Sequence, residues 1–195
     1  ISPDAQIALQ KASPHNAVHL ELPSGEGDDK YERAADTLNA WRRNGVLVRD
    51  TVPGYYILRH RFSRHGRTLE RWGLTACVRL EEYERQVVLP HEETRSAPKE
   101  DRFKLLEVCK SGISPILSMY RDPQQRIKNA VRALTQAEPT AVATYDGNQD
   151  LAIWTVDASR LDADVTAVLH DAPLFIADGH HRYETYLRYR DHARQ

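Results

Sequence analysis

Five consecutive residues near the C-terminal end of the chain combine a carboxylate, a glycine and three anion-binding side chains: Asp178, Gly179, His180, His181 and Arg182. They follow a short apolar run over 173–177 and precede a segment over 183–192 that is typical of a helix. A strand that turns through Asp-Gly into a helix directs backbone N–H groups and cationic side chains to one place. The pattern predicts that this turn binds a phosphate or a carboxylate.

Each residue type in the turn suggests a role. Gly179 lets the backbone approach a ligand closely, and Arg182 suits bidentate contact with a phosphate or carboxylate. His180 and His181 would contact the anion, Asp178 would bind a metal or accept a proton, and Asp178 and His181 are the catalytic candidates of the turn. The alternative is that Asp178 is an ordinary N-cap and that the rest is a solvated helix start.

A weaker metal hypothesis involves the first turns of the following helix. His180 and Glu184 are four residues apart, so they share one helix face and could hold a divalent metal or relay a proton. Together with the carboxylate of the turn, this gives two predicted metal ligands, Asp178 and Glu184. The alternative is a surface hydrogen bond, and the sequence contains no HExxH motif.

A second cluster of polar residues lies between 89 and 102. A predicted loop delivers an imidazole, carboxylates and a hydroxyl within four residues, and two cations follow at the start of a helix. We interpret two of these residues as candidate acid–base catalysts, His91 and Glu92, and three as ligand-binding groups, Thr94, Lys99 and Arg102. The alternative is a solvated charged loop. If both clusters serve one ligand, they must converge on one cleft.

Hydrophobic periodicity and turn residues predict the elements that position these clusters. The predicted helices cover 3–11, 30–44, 101–110, 123–136, 159–170 and 181–192. The predicted strands cover 17–22, 55–62, 69–80, 113–120, 140–145, 151–156 and 173–177. The stretch 86–100 lacks periodicity and contains two prolines, which predicts a loop, and hairpin turns are expected at 64–67 and 146–148. Strands and helices with hairpins predict an α+β fold with a mixed sheet and flanking helices.

Composition excludes several classes of protein. The formal net charge of −1 argues against a nucleic-acid partner, and no apolar run approaches the ~20 residues that cross a bilayer. The two cysteines, Cys77 and Cys109, lack CxxC spacing, so structural zinc is not indicated. The chain lacks P-loop, GxGxxG and GxSxG motifs, and nothing indicates NAD, flavin or haem. A cytoplasmic location is the default prediction, because no signal peptide opens the chain.

The two clusters together resemble a known family. The segments 89–94 and 99–102, with 176–185, resemble the bacterial and archaeal family called domain of unknown function 1015. The stretches 71–73 and 112–116 also resemble that family, so the resemblance covers nearly the whole chain. It implies a single α+β region over 1–195 that forms the N-terminal half of a longer protein, with a subdivision into 1–120 and 121–195 as an alternative.

The strand–turn–helix at the end of the chain resembles, more distantly, the signature turn of the ParB and sulfiredoxin superfamily. That superfamily includes CTP-hydrolysing ParB proteins and an ADP-dependent free-serine kinase. The resemblance implies that residues 179–182 cradle nucleotide phosphates and that Asp178 binds a metal or orients the ligand. Glu92 and His91 would then be candidates for the catalytic base, and Lys99 and Arg102 would neutralise phosphate charge.

These observations favour an enzyme that binds a nucleotide or another phosphorylated small molecule, with Mg²⁺ as its cofactor. It would act as a kinase or a nucleotide hydrolase. Two alternatives stay open: a non-catalytic ligand-binding or regulatory module, and a metal-dependent hydrolase.

Overall fold

A computed structural model of the chain describes residues 1–92, 96–145, 149–170 and 172–195. Seven α-helices lie in these ranges: α1 (Pro3–Ala12), α2 (Val18–Glu21), α3 (Asp29–Arg43), α4 (Ser96–Cys109), α5 (Arg126–Leu134), α6 (Asp162–Leu169) and α7 (His180–His192). Seven strands accompany them: β1 (Gly54–Arg64), β2 (Arg67–Thr75), β3 (Val88–Leu89), β4 (Leu117–Met119), β5 (Ala141–Tyr145), β6 (Gln149–Asp157) and β7 (Leu174–Asp178). The predicted α+β class is confirmed.

The chain divides into two compact units, each built from separate segments. The first unit comprises Ile1–Arg49, Leu80–Ser118 and Phe175–Gln195, and the second comprises Asp50–Arg79 and Met119–Leu174. The boundary suggested near residue 120 stays a prediction. No helix in the described ranges combines the length and the apolar character that crossing a bilayer requires.

The second unit is built on an antiparallel sheet with the strand order β2-β1-β6-β5. The β1–β2 hairpin turns through His65 and Gly66, whose φ angles of 51° and 70° are those that a two-residue type I′ turn requires. Alternate residues of β1 and β6 enter a core that α5 and α6 complete, with Ile57, Trp154 and Ile127 among its buried side chains. The predicted 146–148 turn lies outside the described residues.

The first unit contains the helical core and the three-stranded sheet β3-β7-β4. Helix α3 buries the apolar stripe that its sequence predicts, including Leu38 and Trp41, against Leu105 and Cys109 of α4. Helix α7 also packs against α4. Strand β7 leads directly into α7, so the sheet and α4 together fix the position of the Asp-Gly turn.

Two sequence predictions in this unit were wrong. The residues predicted as a strand, Ala17–Leu22, contain helix α2, because Asn16 accepts the Val18 N–H at Oδ1 and helical backbone bonds follow. Val18 and Leu20 are buried two residues apart, a spacing that imitates a strand. The loop predicted over 86–100 instead contains β3 and the first turn of α4. Pro98 lies in that first helical turn, where a missing N–H is tolerated.

Candidate functional site

The Asp-Gly turn ends β7 and opens α7 without a side-chain cap. Gly179 is the N-cap residue, with a φ of 98°, and its carbonyl accepts the first helical hydrogen bond, from the Tyr183 N–H at 3.0 Å. The first N–H groups of a helix have no acceptor within the helix itself. The N-cap interpretation of Asp178 is therefore wrong, because its carboxylate accepts a hydrogen bond from Arg182 instead.

The Arg182 guanidinium lies directly over Gly179. One of its terminal nitrogens donates to the Pro115 carbonyl at 2.6 Å, and the other donates to Oδ2 of Asp178 at 2.7 Å. A Cβ atom on Gly179 would stand 3.0 Å from Nε of Arg182 and 3.1 Å from its Cζ. Glycine is thus required twice at this position, by the backbone angle and by the approach of the guanidinium.

Two imidazoles from the two predicted clusters meet beside the turn. The His91 backbone N–H donates to Nε2 of His180 at 3.2 Å, and the two rings pack edge to face with centroids 4.5 Å apart. Since a backbone N–H can only donate, Nε2 of His180 holds a lone pair and its ring proton sits on Nδ1. Nδ1 of His91 lies 2.7 Å from the Ile176 carbonyl, which can only accept, so His91 carries a proton on Nδ1.

The remaining nitrogen of His180 is buried without a hydrogen-bond partner among the described residues. His180 is 1% exposed, and Oε1 of Glu92 stands 3.0 Å from its Nδ1. The two atoms are at ion-pair distance but lack the alignment of a hydrogen bond. Glu92 is itself half exposed, so the N–H of a buried ring and a solvated carboxylate meet at this point.

Helix α4 contributes a second fixed guanidinium. Arg102 donates to Oδ2 of its neighbour Asp101 and to both the carbonyl and the carboxylate of Glu21. Tyr31 and Lys30 of α3 donate to the other oxygen of Asp101, at 2.8 and 3.1 Å. Burial acts to raise the pKa of Asp101, but the hydrogen bonds from Arg102, Tyr31 and Lys30 outweigh it and lower the pKa to about 2.

These groups line one open cleft of about 280 Å³. Its lining consists of Glu21, Glu92, Asp101, Arg102, Asp178, Gly179, His180, His181 and Arg182. The structure thus brings the two predicted clusters together, as a shared site requires. Sequence reasoning missed Glu21, on the helix that was predicted as a strand, and counted Asp101 in the second cluster without giving it a role.

Other predicted residues lie elsewhere. Lys99 donates to Oε2 of Glu184 at 2.8 Å, and neither residue lines the cleft. His91 reaches the site only through its contact with His180, since it is absent from the lining. Thr94 lies outside the described residues.

Within the described ranges, no group of three or more His, Cys, Asp or Glu side chains is arranged to hold a metal ion. Two carboxylates of the predicted clusters, Glu92 and Asp178, do line the cleft. Mg²⁺ in proteins is often bound by one or two carboxylates together with the phosphates of a ligand. The donor set therefore fits a metal that arrives with a phosphorylated ligand.

Comparison with curated proteins and with solved structures found no match. A family model described as "Protein of unknown function (DUF1015)" matches residues 1–195. The match spans the whole chain and confirms the resemblance carried by the segments 89–94, 99–102 and 176–185. This chain is therefore a member of the DUF1015 family of proteins of unknown function.

Proposed function

We propose that this chain binds a phosphorylated small molecule, with a nucleotide as the first candidate, in the cleft at the N-terminus of α7. We further propose that it acts there by phosphoryl transfer or nucleotide hydrolysis. The observation that carries the proposal is the uncapped start of α7, which opens on a cleft between two guanidinium groups that carboxylates hold in place.

The phosphate would lie against the first turn of α7. Backbone N–H groups at a helix start, with the positive end of the helix dipole, bind phosphate without need of a side chain. Arg182 and Arg102 are already held by Asp178 and Asp101, so little side-chain freedom would be lost on binding. The buried Nδ1–H of His180 supplies a further donor at the same place.

The charge of the cleft favours a ligand that carries a divalent cation. Four carboxylates and two guanidiniums line it, so with neutral imidazoles the lining is net negative. A free phosphate would be repelled by this excess, whereas a magnesium–phosphate complex would not. Glu92 and Asp178 would hold the metal together with phosphate oxygens. When bound, the metal would neutralise charge on the transferring phosphoryl group.

Two residues are candidates for taking a proton from an attacking hydroxyl or water: Glu92, which lines the cleft, and His91, which lies beside it against His180. With the proton of His91 on Nδ1 and donated to Ile176, the lone pair of this ring is on Nε2. The same bond, with the edge-to-face contact to His180, fixes the orientation of the ring. The distant resemblance of the turn to ParB and sulfiredoxin proteins, which include nucleotide hydrolases and a kinase, agrees with this chemistry.

A thermal-shift panel of ATP, ADP, CTP, GTP, pyrophosphate and phosphate, each with and without Mg²⁺, tests the proposal on the whole chain. A ligand at 100 times its dissociation constant should stabilise by about 2.7 kcal/mol. The shift should require Mg²⁺ and should disappear in Arg182→Ala. The matched control is Arg188→Ala on the same helix, whose guanidinium contacts Glu100 and Phe103.

The outcomes separate the candidate functions. Normal binding by Arg182→Ala would contradict the phosphate site. Binding followed by phosphate release or transfer, lost in His91→Ala, would support the enzyme. Affinity without turnover of any bound nucleotide would instead support the non-catalytic module.

A further inference from the structure

We propose that one face of the β1–β2 hairpin binds a single-stranded nucleic acid. The hairpin face comprises His60, Phe62, Arg64, Arg67, Leu69 and Arg71. This face belongs to the second unit and shares no residue with the cleft. The inference is therefore independent of the function proposed above.

Charge is concentrated in the hairpin although the whole chain is nearly neutral. Gly54–Thr75 contains five arginines and one glutamate, a net +4, whereas the chain carries a formal −1. The whole-chain charge argued against a nucleic-acid partner, but a polyanion responds to local charge on one surface.

Strand register gathers the cations on one face. Arg64 pairs with Arg67, Phe62 with Leu69 and His60 with Arg71, and alternate residues of a strand share a face. Within the described residues, β1 pairs with β6 as far as Phe62.

No carboxylate among the described residues pairs with the arginines of this face. Arg64 and Arg67 are exposed and form no ion pair within the described ranges, although like charges opposed across a ladder are destabilising. Arg71 donates to Nδ1 of His60 at 3.1 Å, while Nε2 of that ring contacts Oε1 of Gln149 at 2.7 Å. An uncharged imidazole with its proton on Nε2 thus orients Arg71 without neutralising it.

The opposite face of the hairpin differs in kind. Arg61 is neutralised by Glu70, to which it donates twice, at 2.8 and 3.0 Å. Arg59 lies against the rings of Trp72 and Trp154, within 6.0 and 5.7 Å of their centroids. Of the two faces of the hairpin, the one that carries Arg64 and Arg67 combines unpaired arginines with open access.

An apolar pair between the two cationic pairs favours single strands. Phe62 is partly exposed, its ring packs on His60 at 4.9 Å, and Leu69 is 40% exposed. Proteins that bind single strands set aromatic rings beside cations, so that unpaired bases stack while phosphates meet arginine. A duplex hides its base faces from such a ring.

Fluorescence polarisation with a labelled single-stranded oligonucleotide, at a series of salt concentrations, tests this inference on the full chain. Three phosphate contacts should give a slope of about −2 for the logarithm of affinity against the logarithm of salt. The double variant Arg64→Glu/Arg67→Glu should lose at least tenfold in affinity. The control Arg132→Glu/Arg160→Glu, at exposed arginines of the same unit, makes the same change in net charge and should bind normally.

Phe62→Ala tests the contribution of base stacking, because it leaves the net charge unchanged. It should weaken single-strand binding about tenfold. Circular dichroism must show each variant folded. Equal loss in the two double variants, tighter binding of a duplex, or binding only to anionic vesicles would each overturn the inference.

Discussion

The backbone N–H of His91 donates to the imidazole Nε2 of His180, a residue 89 positions later in the sequence. This bond joins the segment after β3 to the first residue of α7. It thereby links the two polar clusters, 89–102 and 178–182, that the sequence predicts to form the site. It also orients the buried His180 ring, so the same contact stabilises the fold and sets the proton on Nδ1.

Replacing His180 should reveal its structural role. His180→Ala would leave the His91 N–H without its acceptor and open a cavity, which should lower the free energy of unfolding by about 2 to 4 kcal/mol. His180→Gln places an amide oxygen near the position of Nε2 and should lower the free energy of unfolding by only about 1 kcal/mol. Urea unfolding measures both, and equal losses would contradict the hydrogen bond.

Gly179 should tolerate no side chain. Gly179→Ala combines the cost of a positive φ, roughly 1 to 2 kcal/mol, with a contact against the Arg182 guanidinium. Gly27 has a φ of 68° with nothing within 4 Å of an added Cβ, so Gly27→Ala carries the backbone cost alone. Chemical unfolding should show the larger loss for Gly179→Ala, and calorimetry with Mg²⁺–pyrophosphate should show weaker binding only for that variant. Equal effects of the two substitutions would refute the requirement for space.

Asp101 should make stability depend on pH in the acid range. Its pKa of about 2 in the folded chain lies below the unfolded value of about 4, so its contribution is present above pH 4 and is lost as pH falls toward 2. Asp101→Asn should therefore lower the free energy of unfolding at pH 7 by about 1 kcal/mol, a figure reduced for the partial exposure of the carboxylate.

The difference between Asp101→Asn and the parent should close by about pH 2 in a series of urea melts. Asp36→Asn, at an exposed position of α3, is the control and should track the parent at every pH. A gap that persists unchanged to pH 2 would mean that Asp101 acts by packing rather than by charge.

The hairpin tip should gain stability when its charges are made complementary. Arg67→Glu would place a carboxylate opposite Arg64, converting a repulsive cross-strand pair into an attractive one worth about 0.2 to 1 kcal/mol. The thermal midpoint should rise slightly at low salt and less at high salt. The same variant should bind single strands more weakly, so a joint loss of stability and binding would point to disruption of the turn.

Sequence patterns predicted the secondary structure where one signal dominated. The apolar stripe of α3 and the strand over 151–156 were confirmed, because α3 buries one continuous face and alternate residues of β6 are buried. Predictions failed where the signals were short. Four helical residues after Asn16 cannot show helical periodicity, and Pro98 suggested a break where it opens a helix.

The residue types of the site were predictable from the sequence, but their hydrogen-bond partners were not. A strand–turn–helix with Asp, Gly, His and Arg indicates an anion site, and the structure places those residues on one cleft. The partners that fix them include the backbone carbonyls of Pro115 and Ile176. Because every residue has a carbonyl, the sequence cannot indicate which ones accept these hydrogen bonds. Glu21 and Lys30 reach the site through the packing of α2 and α3, which depends on contacts distant in sequence.

The first unit takes its final segment, Phe175–Gln195, from the end of the described chain. During synthesis from the N-terminus, His91 and Lys99 leave the ribosome long before their partners in α7, His180 and Glu184, exist. The β1–β2 hairpin can close at once, because its pairing is local. The cleft must therefore be among the last features to assemble, and until then the face of α4 that packs on α7 would be open to chaperones.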